Sequence, residues 1–514
     1  MRPNRGADTL RDLQTQARPE ARPTHVDAPL SHAEVRQVIV GIGLAMFLAA
    51  LNQTIVATAL PTIGRDFDDF ENLPWVINAY LLTSTAVAPL YGKLSDIHGR
   101  RAMMLAAIAL FTAGSVMCAV AGNMVVLSLG RALQGIGGGG IMPLAQIIIA
   151  DAITPRERGR YQAYIGIIWV GAGIAGPVFG GLFADHLHWS VIFWLNVPLG
   201  LIGAAMSSAA LKRLPRHDRP HRLDLIGAVL IVASAVTLLL ALAWGGTRYP
   251  WLSREIAFLL LCAVAIAVLF GWRLMRAPEP FLPLPILANP VVLAGTVASA
   301  CAVGVALALT VYLPLYFQVV HKLSASTSGL ALIPLVVIST PGSILSGRAL
   351  SVMRHYKRVP LTALIFAIAA MALVAWWPAA PLWLVIIALS IVSFGCGSTY
   401  PVSTVCVQNA VATHQVGTVT GVMNFFRALA SALEVAVLGA IVLAGFGVTP
   451  ERGRGADLMI EAAGAAGADL APVFGWVFAA AGGFLVLSLV ALIVMEERPL
   501  RGPGSGRQAD HRAT

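Results

Sequence analysis

Long apolar stretches alternate with short polar ones along nearly the whole chain. Runs of about 18 apolar residues or more, each able to cross roughly 30 Å of hydrocarbon as a helix, recur fourteen times. The pattern predicts an all-α integral membrane protein with fourteen transmembrane helices. The predicted spans are 38–60, 74–91, 102–122, 124–150, 161–183, 189–211, 224–245, 254–274, 290–318, 328–347, 360–378, 382–406, 416–445 and 472–495.

Composition agrees with a membrane environment. Of 514 residues, 57% are hydrophobic and 12% are charged, and the mean hydropathy is +0.78. The hydrophobic fraction is too high, and the charged fraction too low, for a soluble domain. The five cysteines lie within predicted spans without CxxC spacing, so we interpret them as packing residues, and we predict neither a metal site nor a cofactor.

Basic residues set the predicted orientation. With both termini in the cytoplasm, 27 of the 35 Lys and Arg residues fall on the cytoplasmic side and six on the outer side, and Arg131 and Arg427 lie deep within spans. This count assigns Arg254 and Arg273, at the ends of the eighth span, to the adjacent loops. This asymmetry follows the positive-inside rule. The net charge of +10 therefore reflects topology, and we predict no nucleic-acid partner.

The spacing of the spans predicts a 6 + 2 + 6 organisation. We expect a disordered cytoplasmic tail (1–36), a six-helix bundle (37–211), two extra helices with a Pro-rich surface linker (212–289), a second bundle (290–495) and a cytoplasmic tail (496–514). No GxxxxGK[ST], HExxH or GxSxG motif is present. Active transport would therefore depend on an ion gradient, and a membrane enzyme is disfavoured.

One cytoplasmic loop carries a specific motif. The loop reads GKLSDIHGRR and combines Gly92 and Gly99 with Asp96, Arg100 and Arg101. The glycines permit close helix contact, and the charged side chains can form ion pairs that hold one conformation closed. The pattern resembles the signature loop of the major facilitator superfamily. Asp151, at the end of the fourth span, fits the same predicted cytoplasmic gate, with a surface acid at a helix end as the alternative.

Further stretches resemble the fourteen-helix drug:proton antiporters of that superfamily. They are LNQTIVATALP (51–61), WVINAYLL (75–82), GRALQGIGGGG (130–140), GAGIAGPVFGG (171–181), FWLNVPLG (193–200), YLPLYFQ (312–318), SGLALIP (328–334) and NFFR (424–427). The resemblance covers residues 38 to 495. It implies two six-helix bundles around a central cavity, with alternating access by rocking of the halves.

The stretch 171–181 is predicted to form a close-packed, kinkable seam. Its small residues let backbones touch, and its proline removes a helix hydrogen bond. The resemblance implies that this seam, formed by Gly173, Gly176, Pro177, Gly180 and Gly181, seals the cavity of antiporters. An ordinary helix interface is the alternative.

Arg131 lies deep in the fourth span, where placing it in lipid would cost on the order of 3 kcal/mol, so it must face a cavity or a partner. The resemblance links this arginine to proton transfer beside an Asp of the first span. Asn52 occupies the position of that Asp. It can hydrogen-bond Arg131 or a substrate, but it cannot release a proton.

Glu434 is the candidate replacement. It lies deep in the thirteenth span, where relatives usually have a small residue, on the same helix face as Arg427 and about 10 Å away along the axis. We expect it to border one cavity with Asn52 and Arg131, and to carry protons under the influence of Arg427 or Arg131. A permanent ion pair with an arginine and a hydrogen bond to another helix are the alternatives. The hypothesis requires water to reach Glu434.

The sequence thus predicts a proton-coupled antiporter that exports amphipathic or apolar compounds, cationic ones included, from a bacterial inner membrane. A same-fold transporter of an endogenous metabolite and a membrane enzyme or sensor are the alternatives. The expected partners are a small-molecule substrate, protons and the bilayer, and the expected state is a monomer. The candidate cavity residues are Asn52, Gln53, Trp169, Tyr312, Asn424 and Phe425.

Overall fold

The computed structural model describes residues 32–69, 72–213, 224–446 and 470–500. In these ranges the chain forms fourteen helices of 19 residues or more, which we number α1 to α14. They are α1 His32–Phe67, α2 Trp75–His98, α3 Arg100–Ala119, α4 Met124–Ala152, α5 Pro155–His186, α6 Val191–Ala210, α7 Leu225–Trp244, α8 Arg254–Arg276, α9 Pro290–Val319, α10 Ile333–Val352, α11 Arg358–Trp376, α12 Leu382–Asn409, α13 Val416–Phe446 and α14 Ala471–Val494.

The predicted all-α membrane architecture is confirmed, and the number of spans agrees closely. Thirteen helices in the described ranges are long and apolar enough to cross a bilayer. The remaining predicted span, 74–91, corresponds to α2, whose 24 residues include several polar ones. These are tolerated because α2 packs between α4 and α13.

The segments around the spans differ in part from the predictions. Helix α1 already begins at His32, inside the predicted disordered tail. Within the Pro-rich linker, Phe281, Leu282 and Ile286 are buried, whereas Leu284 is exposed. Most of both predicted tails and the predicted outer loop 446–471 lie outside the described residues.

The beginning of the predicted C-terminal tail is held against the second bundle. The Tyr356 hydroxyl donates to the Arg498 carbonyl at 2.8 Å, and the Asn409 amide donates to the Pro499 carbonyl at 3.2 Å. The Lys357 backbone N–H donates to the Glu497 carboxylate at 3.2 Å. This segment therefore covers the predicted cytoplasmic ends of α11 and α12.

Buried apolar side chains form separate cores in the two halves. Helices α1 to α6 enclose two clusters, and α9 to α14 enclose a larger one. A further cluster joins α7 to α2 and α13, so that α7 packs on a junction between the halves. Helix α8 contributes Leu274 to this cluster but leaves most of its apolar side chains exposed, as expected for a helix that faces lipid.

The halves meet at the ends predicted to face the cytoplasm. There α2 packs on α13 and α5 packs on α10, with close backbone contacts at Gly92–Gly417 and Gly159–Gly347. The Arg156 side chain donates across the second junction to the Ser351 carbonyl at 2.9 Å. The structure is therefore closed at the ends that are predicted to face the cytoplasm, and we call this conformation cytoplasm-closed.

Candidate functional site

The GKLSDIHGRR loop forms a compact ion-pair cluster. Gly99, with φ +86°, makes the tight turn between α2 and α3, which favours glycine because a Cβ is strained there. The Arg100 guanidinium lies 2.5 Å from Asp96 Oδ1 and 2.7 Å from Asp151 Oδ2. Arg101 is not part of this cluster and donates instead to the Ser208 hydroxyl at 2.8 Å.

The cluster also joins the two halves. Asp96 Oδ2 accepts hydrogen bonds from the backbone N–H and the hydroxyl of Thr418, at 3.1 and 3.0 Å. Thr418 lies in the first turn of α13, where free N–H groups and the helix dipole favour a negative charge. Gly92 makes the approach possible, because a Cβ there would lie 2.5 Å from the Gly417 carbonyl oxygen. Asp96 thus acts as a cap for a helix of the other half.

A buried polar network occupies the first bundle. Gln134 is its centre: its amide donates to Asn52 at 3.1 Å and to Ser115 at 2.6 Å, and its oxygen accepts from Arg131 at 2.5 Å. Asn52 therefore reaches Arg131 only through Gln134, not directly. Asn196 also donates to Asn52, at 3.3 Å. The network satisfies much of the hydrogen-bonding capacity of these buried groups without a carboxylate.

Arg131 is held by two further contacts. Its Nε donates to the Val76 carbonyl at 2.7 Å, and its guanidinium stacks on the Tyr80 ring, 4.5 Å from the centroid. The side chain is 2% exposed. The sequence-based requirement for a partner is thus met by α2, and lipid contact is avoided.

Arg427 is similarly buried in the second bundle. Its Nε donates to the Ser299 hydroxyl at 2.9 Å, and its Nη2 donates to the Thr404 hydroxyl at 2.8 Å. The guanidinium stacks on the Tyr400 ring, 4.5 Å from the centroid. Its Nη1 is buried without a hydrogen-bond partner in the described part of the chain.

Glu434 makes neither of the two contacts considered as alternatives. The described residues contain no ion pair of this carboxylate, and both of its oxygens are buried without a hydrogen-bond partner. The side chain is 1% exposed and packs on α9, where a Cβ at Gly304 would lie 2.5 Å from the carboxyl carbon. Arg427, two turns away on the same helix, contacts different neighbours from those of Glu434.

In this conformation, the three residues expected to border one cavity are enclosed in different bundles. Asn52 and Arg131 are bound in the first bundle, whereas Glu434 is enclosed in the second, and all three are buried. No contact of Glu434 with solvent exists in this conformation beyond that 1% exposure. Water could reach it only in another conformation.

A layer of polar side chains between the halves was missed by the sequence analysis. Gln146 of α4 donates to the Tyr400 hydroxyl at 2.6 Å, and Asn424 of α13 donates to Gln146 Oε1 at 2.9 Å. Among these three, only the candidate Asn424 was predicted. A lone Gln within the apolar stretch PLAQIII, and a Tyr before Pro401, were the available signals.

The other cavity candidates are dispersed. Gln53 and Trp169 are exposed, whereas Phe425 is buried in the cluster formed with α7. The Tyr312 hydroxyl donates to the Val435 carbonyl at 2.9 Å, which ties α9 to α13 next to Glu434. Phe425 is therefore not a cavity wall in this conformation, and Tyr312 has a packing contact.

The glycine-rich seam of α5 has two different faces. Gly176 and Gly180 pack on α1, where added Cβ atoms would lie 2.1 Å from the Thr54 hydroxyl and 2.0 Å from the Thr58 hydroxyl. Gly173 faces α10 of the other half, with Val336 3.5 Å from an added Cβ. Pro177 and Gly181 lie in α5 but outside the residues whose side-chain surroundings are described.

Comparison with known proteins identifies the family. The profile of the Major Facilitator Superfamily matches residues 42–433. The multidrug transporter protein MdtP of Bacillus subtilis is 32% identical over 406 residues, covering 79% of this chain and 75% of that protein. The MFS-type efflux pump LUC4 of a Fusarium species is 35% identical over 348 residues, covering 66% of this chain. The match spans 61% of the LUC4 sequence, less than two thirds of its length.

Solved structures show the same fold. The human organic anion transporter MFSD10 gives a TM-score of 0.61 with 17% identity, covering 90% of this chain and 99% of that one. The proton:xylose symporter XylE gives 0.59 with 14% identity, covering 89% of this chain and 95% of that one. Because the sequence match, the fourteen-helix architecture and these folds agree, the chain belongs to the Major Facilitator Superfamily of membrane transporters.

Proposed function

We propose that this transporter is a proton-coupled antiporter that exports amphipathic or apolar compounds by alternating access, from a bacterial cytoplasmic membrane and with both termini inside. Relatives named as efflux pumps and as a multidrug transporter support the direction of transport. The observation that supports proton coupling is Glu434, a buried carboxyl group with no partner for either oxygen among the described residues.

The surroundings of Glu434 favour its protonated form in this conformation. An unpaired buried charge is far more costly than a neutral carboxylic acid. No arginine lies within ion-pair distance among the described residues, and the neighbour is the bare backbone of Gly304. A conformation that opens this side chain to water would remove the penalty and allow the proton to leave.

The cytoplasmic contacts supply the second conformational element. Asp96, Arg100 and Asp151 hold the predicted cytoplasmic side closed through Thr418 of α13. The same helix carries Glu434, eighteen residues beyond its start at Val416. Separation of the halves would move α13 relative to α2. Protonation of Glu434 and opening of the gate would therefore both act on α13. A proton that binds the two conformations unequally then shifts their populations.

The available energy is adequate for export. One charge moving down about 150 mV yields roughly 3.5 kcal/mol, which supports a concentration ratio on the order of 300. A pH gradient adds to this. The two fluxes are coupled in opposite directions if the substrate and the proton each stabilise a different conformation.

A proton-flux assay in proteoliposomes tests the proposal. A substrate gradient imposed on the native chain should drive proton movement in the opposite direction, and Glu434→Gln should abolish this coupling. Glu255→Gln is the matched control, because Glu255 is exposed at the start of α8. Asn52→Asp tests whether the family's usual acid position adds a second coupled proton. Unchanged coupling in Glu434→Gln would disprove the role of this residue.

A further inference from the structure

The deep charges of the described membrane helices are unbalanced. Arg131 and Arg427 are 2% and 3% exposed, and neither forms an ion pair with a carboxylate within the described ranges. Glu434, the one carboxyl group at similar depth among the described helices, packs on Gly304 and is neutral when protonated. The interior then holds two cations without a counter-charge, which attracts an anion and repels a cation.

Arg427 has an unused donor in a fixed orientation. Ser299 and Thr404 hold its Nε and Nη2, and the Tyr400 ring covers one face of the guanidinium. Nη1 is left buried without an acceptor in the ranges that the structure describes. A guanidinium with a free N–H suits a carboxylate or sulfonate, because a charge-assisted hydrogen bond is about twice as strong as a neutral one.

The site lies next to the junction between the halves. Tyr400, whose ring covers Arg427, accepts a hydrogen bond from Gln146 of the first half. Asn424, one turn before Arg427 on α13, also contacts Gln146. Both Tyr400 and Asn424 are half-buried. These neutral contacts between the halves can be broken when the halves separate, and this would uncover the guanidinium and an aromatic ring together.

We infer that Arg427 and Tyr400 bind the acidic group and the aromatic part of an organic anion, so that the exported compounds are amphipathic anions. The inference rests on the proposed antiport and narrows its substrate class. Gln146 and Asn424 offer amide groups to the polar atoms of the compound. The expectation that cationic compounds are included among the substrates is disfavoured by the same charges.

Binding of two probes with one ring system and opposite single charges tests the site. Naphthalenesulfonate and trimethylnaphthylammonium remain charged at every working pH. Proton exchange with Glu434 therefore cannot change the charge of either probe. The full chain in detergent should bind the sulfonate at least tenfold more tightly by equilibrium dialysis. Arg427→Gln should remove this preference, and Arg427→Lys should retain part of it. Equal binding of both probes by the native chain would overturn the inference.

A matched control distinguishes this site from general attraction by arginine. Arg276 also stacks on an aromatic ring, 4.5 Å from the Trp272 centroid, but at the exposed end of α8. Arg276→Gln should leave the preference unchanged. If both variants lose it equally, the preference arises from overall charge and not from Arg427. Circular dichroism of each variant shows whether the helices are intact. Tyr400→Phe keeps the aromatic ring, so this variant should retain the preference for the sulfonate even if Arg427→Gln fails to fold.

Electrogenicity separates this inference from the proposed function. Export of a monovalent anion against one proton moves two charges in one direction, so an inside-negative potential should raise the sulfonate gradient. Each moved charge contributes roughly 50-fold per 100 mV. Exchange of a monovalent cation for one proton moves no net charge. If only the ammonium probe drives protons, antiport stands and the anion site is wrong; if neither does, the antiport proposal fails as well.

Discussion

The close backbone contact between Gly92 of α2 and Gly417 of α13 gives a sharp test of the proposed cytoplasmic gate. At Gly92, an added Cβ would lie 2.5 Å from the Gly417 carbonyl oxygen and 3.1 Å from its carbon. The obstacle is backbone, so no side chain can rotate away. Because optimal contacts are about 3.5–4.0 Å, Gly92→Ala would require α2 and α13 to separate by roughly 1 Å.

This separation has a cost in only one conformation. Overpacking of this kind costs about 1–3 kcal/mol in the cytoplasm-closed state and nothing where the halves are apart. The ratio of cytoplasm-open to cytoplasm-closed molecules should therefore rise by about 5- to 150-fold. The helix itself also gains slightly, because alanine is about 1 kcal/mol more favourable than glycine within a helix.

The change can be read from cysteine accessibility. Ala88→Cys places a thiol on α2 beside Gly421, where it is buried in the closed conformation. With the half-buried Cys262 replaced by Ser, a membrane-impermeant maleimide applied from the cytoplasmic side should label this thiol faster in Gly92→Ala. The parent without Ala88→Cys reports labelling of the remaining native cysteines.

A glycine within one half provides the control. At Gly171 the nearest atom to an added Cβ is Phe47 Cε2 at 3.8 Å, an ordinary contact. Gly171→Ala should leave the labelling rate unchanged. Equal rates for Gly92→Ala, Gly171→Ala and the parent would refute the inference that this contact holds the gate closed.

Three other results are expected. Gly304→Ala should lower the free energy of unfolding by about 1–2 kcal/mol through contact with Glu434, and this cost should disappear in a Glu434→Ala background in a thermal double-mutant cycle. Additive effects would show that the two sites are independent. Gln134→Leu should lower the unfolding temperature, because it leaves buried donors unpaired at about 1–3 kcal/mol; an unchanged temperature would contradict the network. Asp96→Asn should raise the maleimide labelling rate described above, whereas Asp66→Asn at the exposed outer side should not, and equal rates would exclude Asp96 from the gate.

The fold could be predicted from the sequence because it depends on properties summed along each helix. Hydrophobic length predicted the spans, and the positions of Lys and Arg predicted an orientation. The GKLSDIHGRR motif brought Asp96 and Arg100 together because they are four residues apart and flank the tight turn at Gly99. Such local relations change little with the packing of distant helices.

The candidate site was less predictable because its contacts join helices far apart in sequence. Helical periodicity correctly placed Arg427 and Glu434 on one face of α13, but two turns separate them by about 10 Å. Their partners come from α9 and α12, and those helices contribute hydroxyls to Arg427 and a bare glycine to Glu434.

By itself, the sequence determined that the chain spans a membrane many times, that it has the loop motif of the superfamily, and that it holds few deep charges. Only the tertiary structure decided that Gln134 links Asn52 to Arg131, and that Glu434 is isolated from every arginine in the described chain. The physical reason is that hydrophobicity and charge act on each helix separately, whereas a hydrogen bond or ion pair requires two particular atoms within a few ångströms.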